Sequence, residues 1–428
     1  MKKLFWNFIL ILNFYLILYF WLSHSGANLT SGEPGDIYIA LGRLTGLLSA
    51  YLILIQLVLI SRFSLIEREY GFDKLNYLHR IIGFTLGVFI ISHPVLLILG
   101  YAAANQTSAW TQFMNFQTKW HDIFSATVAF LIIILTALIS LKAIRRRVPY
   151  EFWYFAHLPL YVAIAISFEH QTRTGDLTTG GALWYWFGIN LLAVGLLLVY
   201  RFLRPTYHFW RQGFKVEKVV RESDTVYSVY IIGRQLTDYK FSSGQYATLI
   251  FLQSKLWFHH PFSFSDTKND QHLRFTVKAL GDFSNQLSEL RMGTRVWIDG
   301  PLGTFTLAKA QTKRFLFIAG GIGLTPILSL IKSRPNNTNA LLLYSNKTEA
   351  EVIFRDELAA AGIKTHYFFT SQGSENRISV EKIRALCPDF RDRDIYICGP
   401  ERMMTDLLCD LKAERVPSAQ LHAENFNY

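Results

Sequence analysis

Two pairs of histidines stand at nearly matched intervals in the first half of the 428-residue chain: His79 with His93, and His157 with His170. All four lie in apolar stretches, where an imidazole is costly without a partner and is a functional candidate by default. At about 1.5 Å of rise per residue, intervals of 14 and 13 residues span roughly 20 Å, so each stretch offers one histidine towards each face of a bilayer. Pairing His79 with His157 and His93 with His170 across two helices would supply both axial ligands to two stacked haem irons. Such bis-histidine ligation suits electron transfer rather than ligand binding at the metal. A 14-residue step returns to nearly the same helix face, whereas a 13-residue step misses by roughly 140°. Pro159, two residues after His157, is placed to bend or unwind its helix enough to compensate. The alternative is four histidines each satisfied by neighbouring polar groups.

Other polar residues in these stretches are less specific. Arg43 lies about seven residues into its stretch, too deep for an ordinary interfacial residue. It suits a haem propionate, a negatively charged acceptor, or snorkelling to the interface. Arg80, beside His79, reads equally as a propionate partner or as a cation at a helix end, and His121 reads as interfacial.

The second half carries a different chemistry. His260-Pro261-Phe262-Ser263-Phe264-Ser265 is an extended segment that could set an aromatic ring and a hydroxyl against a flat ligand. Leu280-Gly281-Asp282-Phe283-Ser284 could turn amides and a hydroxyl towards a phosphate. Either stretch alone also reads as a plain strand end or turn. Further on, Gly320-Gly321-Ile322-Gly323-Leu324-Thr325-Pro326 joins a strand at 315–319 to a helix starting at Ile327. Glycines let the backbone approach a pyrophosphate and a helix N-terminus favours its charge, although the spacing is not GxGxxG. A strand at 395–397 ends in Cys398-Gly399-Pro400, where the thiol either approaches a nicotinamide ring or is a buried structural cysteine. Ser345, Lys347, Arg355 and, less directly, Thr370 are candidates for a 2′-phosphate, and a solvated helix start explains them equally.

These groups need elements to position them. A bilayer span takes about 20 apolar residues, and six segments qualify: 4–22, 37–60, 77–100, 120–141, 152–170 and 182–203. The loops after the second and fourth carry Arg62, Arg68, Lys74, Lys142, Arg145, Arg146 and Arg147, while those after the first, third and fifth are rich in Gly, Ser, Thr and Asn. Positive loops stay inside, which predicts a multi-pass cell-membrane protein with both termini cytoplasmic. The first span is followed by no small-residue cleavage site and is expected to be retained. After Arg204-Pro205, short alternating segments at 225–232, 246–251, 273–279 and 295–298 predict a small antiparallel barrel. The last 120 or so residues alternate strand and helix and predict a parallel sheet.

Composition agrees with this division. Of all residues 51% are hydrophobic and 18% charged, with the apolar excess in the first 203. The net charge of +11 comes partly from short basic runs beside apolar segments, which argues for membrane topology rather than nucleic acid. Cys387, Cys398 and Cys409 all lie in the polar half, so no disulfide framework is expected.

Together these residues resemble the NADPH oxidase and ferric reductase superfamily over nearly the whole chain. His260, Pro261, Phe262 and Ser263 resemble its flavin-binding motif and Gly281 to Ser284 its pyrophosphate contact, which places Lys278, Gly281, Phe283 and Ser284 among the flavin-binding residues. Gly320, Gly321, Gly323, Thr325 and Pro326, with Cys398, Gly399 and Pro400, resemble its nicotinamide-nucleotide motifs, and the histidine spacings resemble its two haem-bearing helices. Phe426 sits where such flavoproteins stack a terminal aromatic on the isoalloxazine, although Asn427 and Tyr428 follow it. The resemblance implies a six-helix transmembrane haem bundle at 1–210, an antiparallel β-barrel FAD domain at 211–308 and an α/β nucleotide-binding domain at 309–428. It implies FAD, two b-type haems and NADPH, with tolerance for NADH. The implied activity passes electrons from NADPH through flavin, the His79–His157 haem and the His93–His170 haem to an external acceptor near Arg43, with Cys398 and Phe426 at the hydride-transfer step. Dioxygen, giving superoxide, is the preferred acceptor, and a ferric or cupric chelate, which would make the chain a metalloreductase, is the second. A reading of another class is a haem or metal transporter with a regulatory flavin half, which predicts flux without NAD(P)H oxidation. No nucleic acid and no obligatory protein subunit are expected; the bilayer is.

Overall fold

Inside hydrocarbon every backbone polar group must be satisfied within the protein, and an α-helix does this residue by residue. Among the described residues the apolar stretches accordingly form six helices long and apolar enough to cross a membrane: Lys3–Leu29, Pro34–Ile60, Lys74–Ala104, His121–Ser140, Glu151–Arg173 and Gly180–Gln212. The computed structural model describes residues 2–253, 256, 258–279 and 286–424. The chain divides into two units, Met1–Arg201 and Phe202–Tyr428.

The first unit runs α1 (Lys2–Ser25), α2 (Pro34–Ile60), α3 (Ser64–Tyr70), α4 (Phe72–Ala104), α5 (Ala109–Lys119), α6 (His121–Ser140), α7 (Lys142–Arg145), α8 (Tyr150–His157), α9 (Pro159–Arg173) and α10 (Gly180–Leu197), which a π-helical turn continues over Leu198–Leu203. Helices α2 and α4 approach closely because small residues line their contact. A Cβ on Gly100 would lie 2.8 Å from the Gly35 carbonyl, one on Gly42 would lie 2.8 Å from Leu97, and one on Gly46 would lie 2.5 Å from His93 Nδ1. The fifth span is made in two pieces, α8 ending on His157 and α9 beginning on Pro159. Proline is tolerated at a helix's first position because its missing N–H would have no partner there.

In the second unit, α11 (Arg204–Gln212) lays Phe209 against Trp297, ring centroids 5.1 Å apart. Six strands follow: β1 (Lys215–Ser223), β2 (Val226–Ile232), β3 (Tyr246–Phe251), β4 (His260–Ser263), β5 (Leu273–Lys278) and β6 (Val296–Leu302). They form two antiparallel three-stranded sheets, β1-β2-β5 and β4-β3-β6, around one core that includes Phe214, Val229, Leu249, Phe264 and Phe275. The predicted barrel is therefore not closed among the described residues. The sheets meet at isolated bridges, Phe264 with Phe275 and Lys215 with Arg295, and register shifts in β1 and β3 interrupt the ladders. Bulges of this kind bend a strand and end its pairing locally.

The remainder is α/β: β7 (Arg314–Gly320), α12 (Leu324–Ser333), β8 (Asn339–Asn346), α13 (Arg355–Ala360), β9 (Lys364–Phe369), α14 (Val380–Leu386), β10 (Asp394–Cys398), α15 (Glu401–Ala413) and β11 (Leu421–Ala423). The parallel sheet has the order β11-β10-β7-β8-β9. Strand order reverses between β7 and β10, and a ligand crevice is expected at the carboxyl ends of strands at such a switch point.

Candidate redox site

At one level of the helix bundle, the rings of His93 (α4) and His170 (α9) lie 6.1 Å apart, centroid to centroid, at 59°. Gly46 leaves room for the His93 ring, whose Nδ1 is 2.8 Å from the Gly42 carbonyl oxygen. A carbonyl only accepts, so Nδ1 carries the proton and Nε2 keeps its lone pair. His170 Nδ1 lies 3.0 Å from the Thr174 hydroxyl and 3.4 Å from Asp122 Oδ2, a buried carboxylate in the first turn of α6. At the other level, His79 (α4) and His157 (α8) lie within electrostatic reach of one another. The Nδ1 atoms of both are buried without a hydrogen bond. Gln56 Nε2 donates to the His79 carbonyl at 2.9 Å, and the Trp153 ring lies 4.6 Å from that of His157.

Among the described residues no group of three or more His, Cys, Asp and Glu side chains could hold a metal ion. Two imidazoles are too few donors for a bare ion, but they match a metal whose equatorial ligands come with a macrocycle. Two metal–nitrogen bonds of about 2 Å, plus about 1 Å from each nitrogen to its ring centroid, sum to about 6 Å. The His93–His170 separation fits that length.

Arg43, also in α2, is not a lone cation. Its Nη1 pairs with Asp176 Oδ1 at 3.2 Å and its Nη2 donates to the Tyr101 hydroxyl at 3.3 Å. Ser25 Oγ donates to both oxygens of the fully buried Asp176, at 2.8 and 3.0 Å. The cluster ties the end of α1, α2, α4 and the α9–α10 loop together. His121 and Arg80 are exposed.

In the second unit, His260, Pro261, Phe262 and Ser263 form β4, paired with Leu249, Thr248, Ala247 and Tyr246 of β3. Proline is accommodated because β4 is an edge strand of its sheet. Residues two apart share a face, and the His260 and Phe262 rings stack at 6.3 Å and 27°. Lys278 ends β5 and pairs with Glu351 at 3.3 Å. Gly281, Phe283, Ser284 and Phe426 lie outside the described residues.

The two nucleotide motifs abut. A Cβ on Gly323 would lie 2.2 Å from the Cys398 carbonyl oxygen, and one on Gly320 would lie 2.7 Å from Pro400 Cδ. Gly321 has φ +54, in the left-handed region, and Gly399 packs against Gly320. The Thr325 hydroxyl donates to the Ile322 carbonyl at 3.0 Å, and Pro326 is buried. Burial, and secondarily the Glu424 carboxylate, push the Cys398 thiol well above its usual range, so it is protonated at neutral pH. Ser345 is buried at the end of β8 while Lys347 is exposed. Arg355 pairs with Glu349 at 3.0 Å, and Thr370 donates to the Asn346 carbonyl at 3.4 Å. A cavity beside the glycine turn is lined by Thr225, Lys278, Gly321, Tyr344, Asn346 and Glu351. The Asn346 side chain is 5% exposed and lies beside the Tyr344 hydroxyl.

Residues 45–168 match the ferric reductase like transmembrane component, 212–306 an FAD-binding domain and 317–408 an oxidoreductase NAD-binding domain. The chain has the architecture of the NADPH oxidase and ferric reductase superfamily. It is a multi-pass membrane protein whose ferric-reductase-like bundle is joined to a flavoprotein reductase. Over 232 residues it is 29% identical to a flavohemoprotein of Candida albicans, covering 49% of this chain and 58% of that one. Over 233 residues it is 26% identical to the reductase component of propane 2-monooxygenase of Rhodococcus jostii, covering 50% and 62%. The chain thus spans about 60% of the length of these relatives. Its reductase half is also similar to the ferredoxin-NADP+ reductase of Plasmodium falciparum, at 20% identity and a TM-score of 0.42, over 49% of this chain and 94% of that one.

Among the residues of these sites that the sequence does not single out are Asp122, Asp176, Tyr101 and Glu424. Asp122 was signalled only as an acid opening an apolar stretch, and Asp176, Tyr101 and Glu424 carry no local signal.

Proposed function

We propose that this protein carries electrons across the cell membrane from cytosolic NADPH, through FAD and two b-type haems, to dioxygen, producing superoxide. The observation that supports this best is the pairing of histidines across α4 and α8–α9 at two levels of a bundle fused to FAD- and NAD-binding domains. His79 with His157, and His93 with His170, would hold the haems. FAD, when bound, converts a two-electron hydride into single electrons that haem iron then carries.

The protein's own groups do the positioning. Gly320, Gly321 and Gly323 bring backbone close to a pyrophosphate, and α12 presents its N-terminus there. Cys398 keeps its proton on Sγ and so offers a neutral, compact wall to a nicotinamide. Phe262 and Ser263 of β4 bear on the flavin, with Lys278, Gly281, Phe283, Ser284 and Phe426 assigned to the same cofactor, and Ser345 and Lys347 to the NADPH 2′-phosphate. Gly42 holds the His93 proton on Nδ1 and so keeps Nε2 free. Both termini are assigned to the cytoplasm from the basic loops at Arg62 to Lys74 and Lys142 to Arg147. Arg43, compensated by Asp176, presents little net charge, which suits a neutral acceptor such as dioxygen better than an anionic ferric chelate.

The test is NADPH oxidation by the purified, FAD-supplemented protein in air, then without oxygen, with a ferric chelate added last. Rapid oxidation in air with dismutase-sensitive superoxide, stopping without oxygen, is expected. Oxidation that is slow in air and accelerates on adding the chelate would make the protein a metalloreductase, and no oxidation at all would overturn electron transfer.

A further inference from the structure

The FAD-binding and NAD-binding halves of the second unit are joined by a closed ring of four alternating charges. Arg274, on β5, donates from Nη1 and Nη2 to Glu357 Oε1 and Oε2 at 2.6 and 2.9 Å. Lys332, on α12, reaches Glu357 Oε2 at 2.6 Å and Asp266 Oδ1 at 2.9 Å. Asp266 Oδ2 closes the ring 3.9 Å from Arg274. Asp266 and Arg274 belong to the flavin half, Lys332 and Glu357 to the nucleotide half, so two bonds of the ring cross between them. Arg274 is only 4% exposed. Its guanidinium lies 4.5 Å from the centroid of the Phe354 ring, and Phe354 holds a left-handed backbone (φ 58) at the start of α13. A bulky residue adopts that conformation only where its surroundings over-determine it.

The ring is wired to both cofactor motifs. Arg274 Nη2 also donates to the Ser265 carbonyl at 2.7 Å, two residues beyond the flavin-motif strand β4, and the Ser265 hydroxyl accepts from Thr276 at 2.8 Å. Lys332 ends the helix whose first residue follows the glycine turn. On that same helix the Ser329 hydroxyl accepts from the Gly244 N–H of the flavin half at 2.8 Å. Burial raises the Glu357 carboxyl, but hydrogen bonds from Arg274 and Lys332 outweigh it and hold the group below its ordinary value. Buried ion pairs add little net stability against apolar replacements, but in some proteins they fix geometry, because each charge has few acceptable positions.

We propose that the Asp266–Lys332–Glu357–Arg274 ring is a positioning device for hydride transfer, setting the flavin-motif strand at a fixed distance and angle from the nicotinamide-binding turn. The inference rests on the electron-transfer reading given above. Misplacing reacting atoms by about 1 Å costs up to about a hundredfold in rate, so a ring loosened rather than destroyed should cost about tenfold.

The experiment is rapid-mixing measurement of flavin reduction by NADPH in the full-length protein, without oxygen, for wild type, Glu357→Gln, Lys332→Met and Lys332→Arg. We expect the limiting rate to fall about tenfold in Glu357→Gln and Lys332→Met, with NADPH half-saturation changed less than about twofold, and to be largely restored in Lys332→Arg. Flavin content and flavin midpoint potential should match wild type, which a merely structural role would not predict. The double variant Glu357→Gln/Lys332→Met should lose little more than either single one, since both cut the same ring. Should Glu357→Gln fail to fold, Lys332→Met carries the same expectation at a partly exposed position. A wild-type limiting rate in Lys332→Met, or a loss explained by missing flavin, overturns the inference. If the wild type itself does not reduce its flavin, the electron-transfer reading falls and this inference falls with it.

Discussion

The two histidine pairs share one helical framework but keep different company. At the His93–His170 level both Nδ1 atoms meet oxygen: the Gly42 carbonyl for His93, and Thr174 and Asp122 for His170. At the His79–His157 level both Nδ1 atoms are buried without a hydrogen bond. Donation from the distal ring nitrogen to a carbonyl or carboxylate raises the basicity of the ligating one. With haems held as proposed, the His93–His170 pair would be the stronger donor to a ferric iron, and its site should have the lower potential of the two. If that site faces the external acceptor, as proposed, a low potential makes it the stronger reductant there.

The largest effect should come from removing one member of a pair. His170→Leu is expected to halve haem content and abolish acceptor reduction while NADPH still reduces the flavin; His79→Leu should halve haem content too. A haem-to-protein ratio of two in either variant would break the assignment of ligands. Next in size is Asp122→Asn, which withdraws a charged partner from His170. A charge-assisted hydrogen bond contributes about 1.5 kcal/mol, and for one electron this corresponds to about 60 mV. We expect one of two midpoint potentials to rise by roughly 30 to 60 mV in a spectroelectrochemical titration, and the other to stay. If both stay, Asp122 does not act through His170.

Much of this was legible in the sequence, and what was not has a common cause. Histidine in an apolar stretch is a loud signal because little else explains its cost, and six spans follow from hydropathy alone. The partners of the ring nitrogens were silent. Gly42 acts through its carbonyl, which every residue has, and Gly46 acts by having no side chain where α2 crosses His93. The ring residues Lys332 and Glu357 carry no local signal, since their partners are met only when α12 and α13 are set against β5. In the flavin half most strands were readable, β1 excepted, but their closure was not, since it depends on whether isolated bridges such as Phe264 with Phe275 extend into ladders. Arg43 was singled out for its depth, yet its partner Asp176 lies 133 residues away in a polar loop.

The finest test of the contrast between the pairs is Gly46→Ala. The added methyl would lie 2.5 Å from His93 Nδ1, a distance that real Cβ contacts do not show, so the ring must turn or α2 must withdraw. Either movement lengthens the bond from Nδ1 to the Gly42 carbonyl, a neutral hydrogen bond contributing about 1 kcal/mol. The midpoint potential that Asp122→Asn raises should rise here as well, by up to about 40 mV, while the His79–His157 site keeps its own. Because Gly46 touches His93 and Asp122 touches His170, a shift confined to the other potential would mean that His93 and His170 do not serve the same haem.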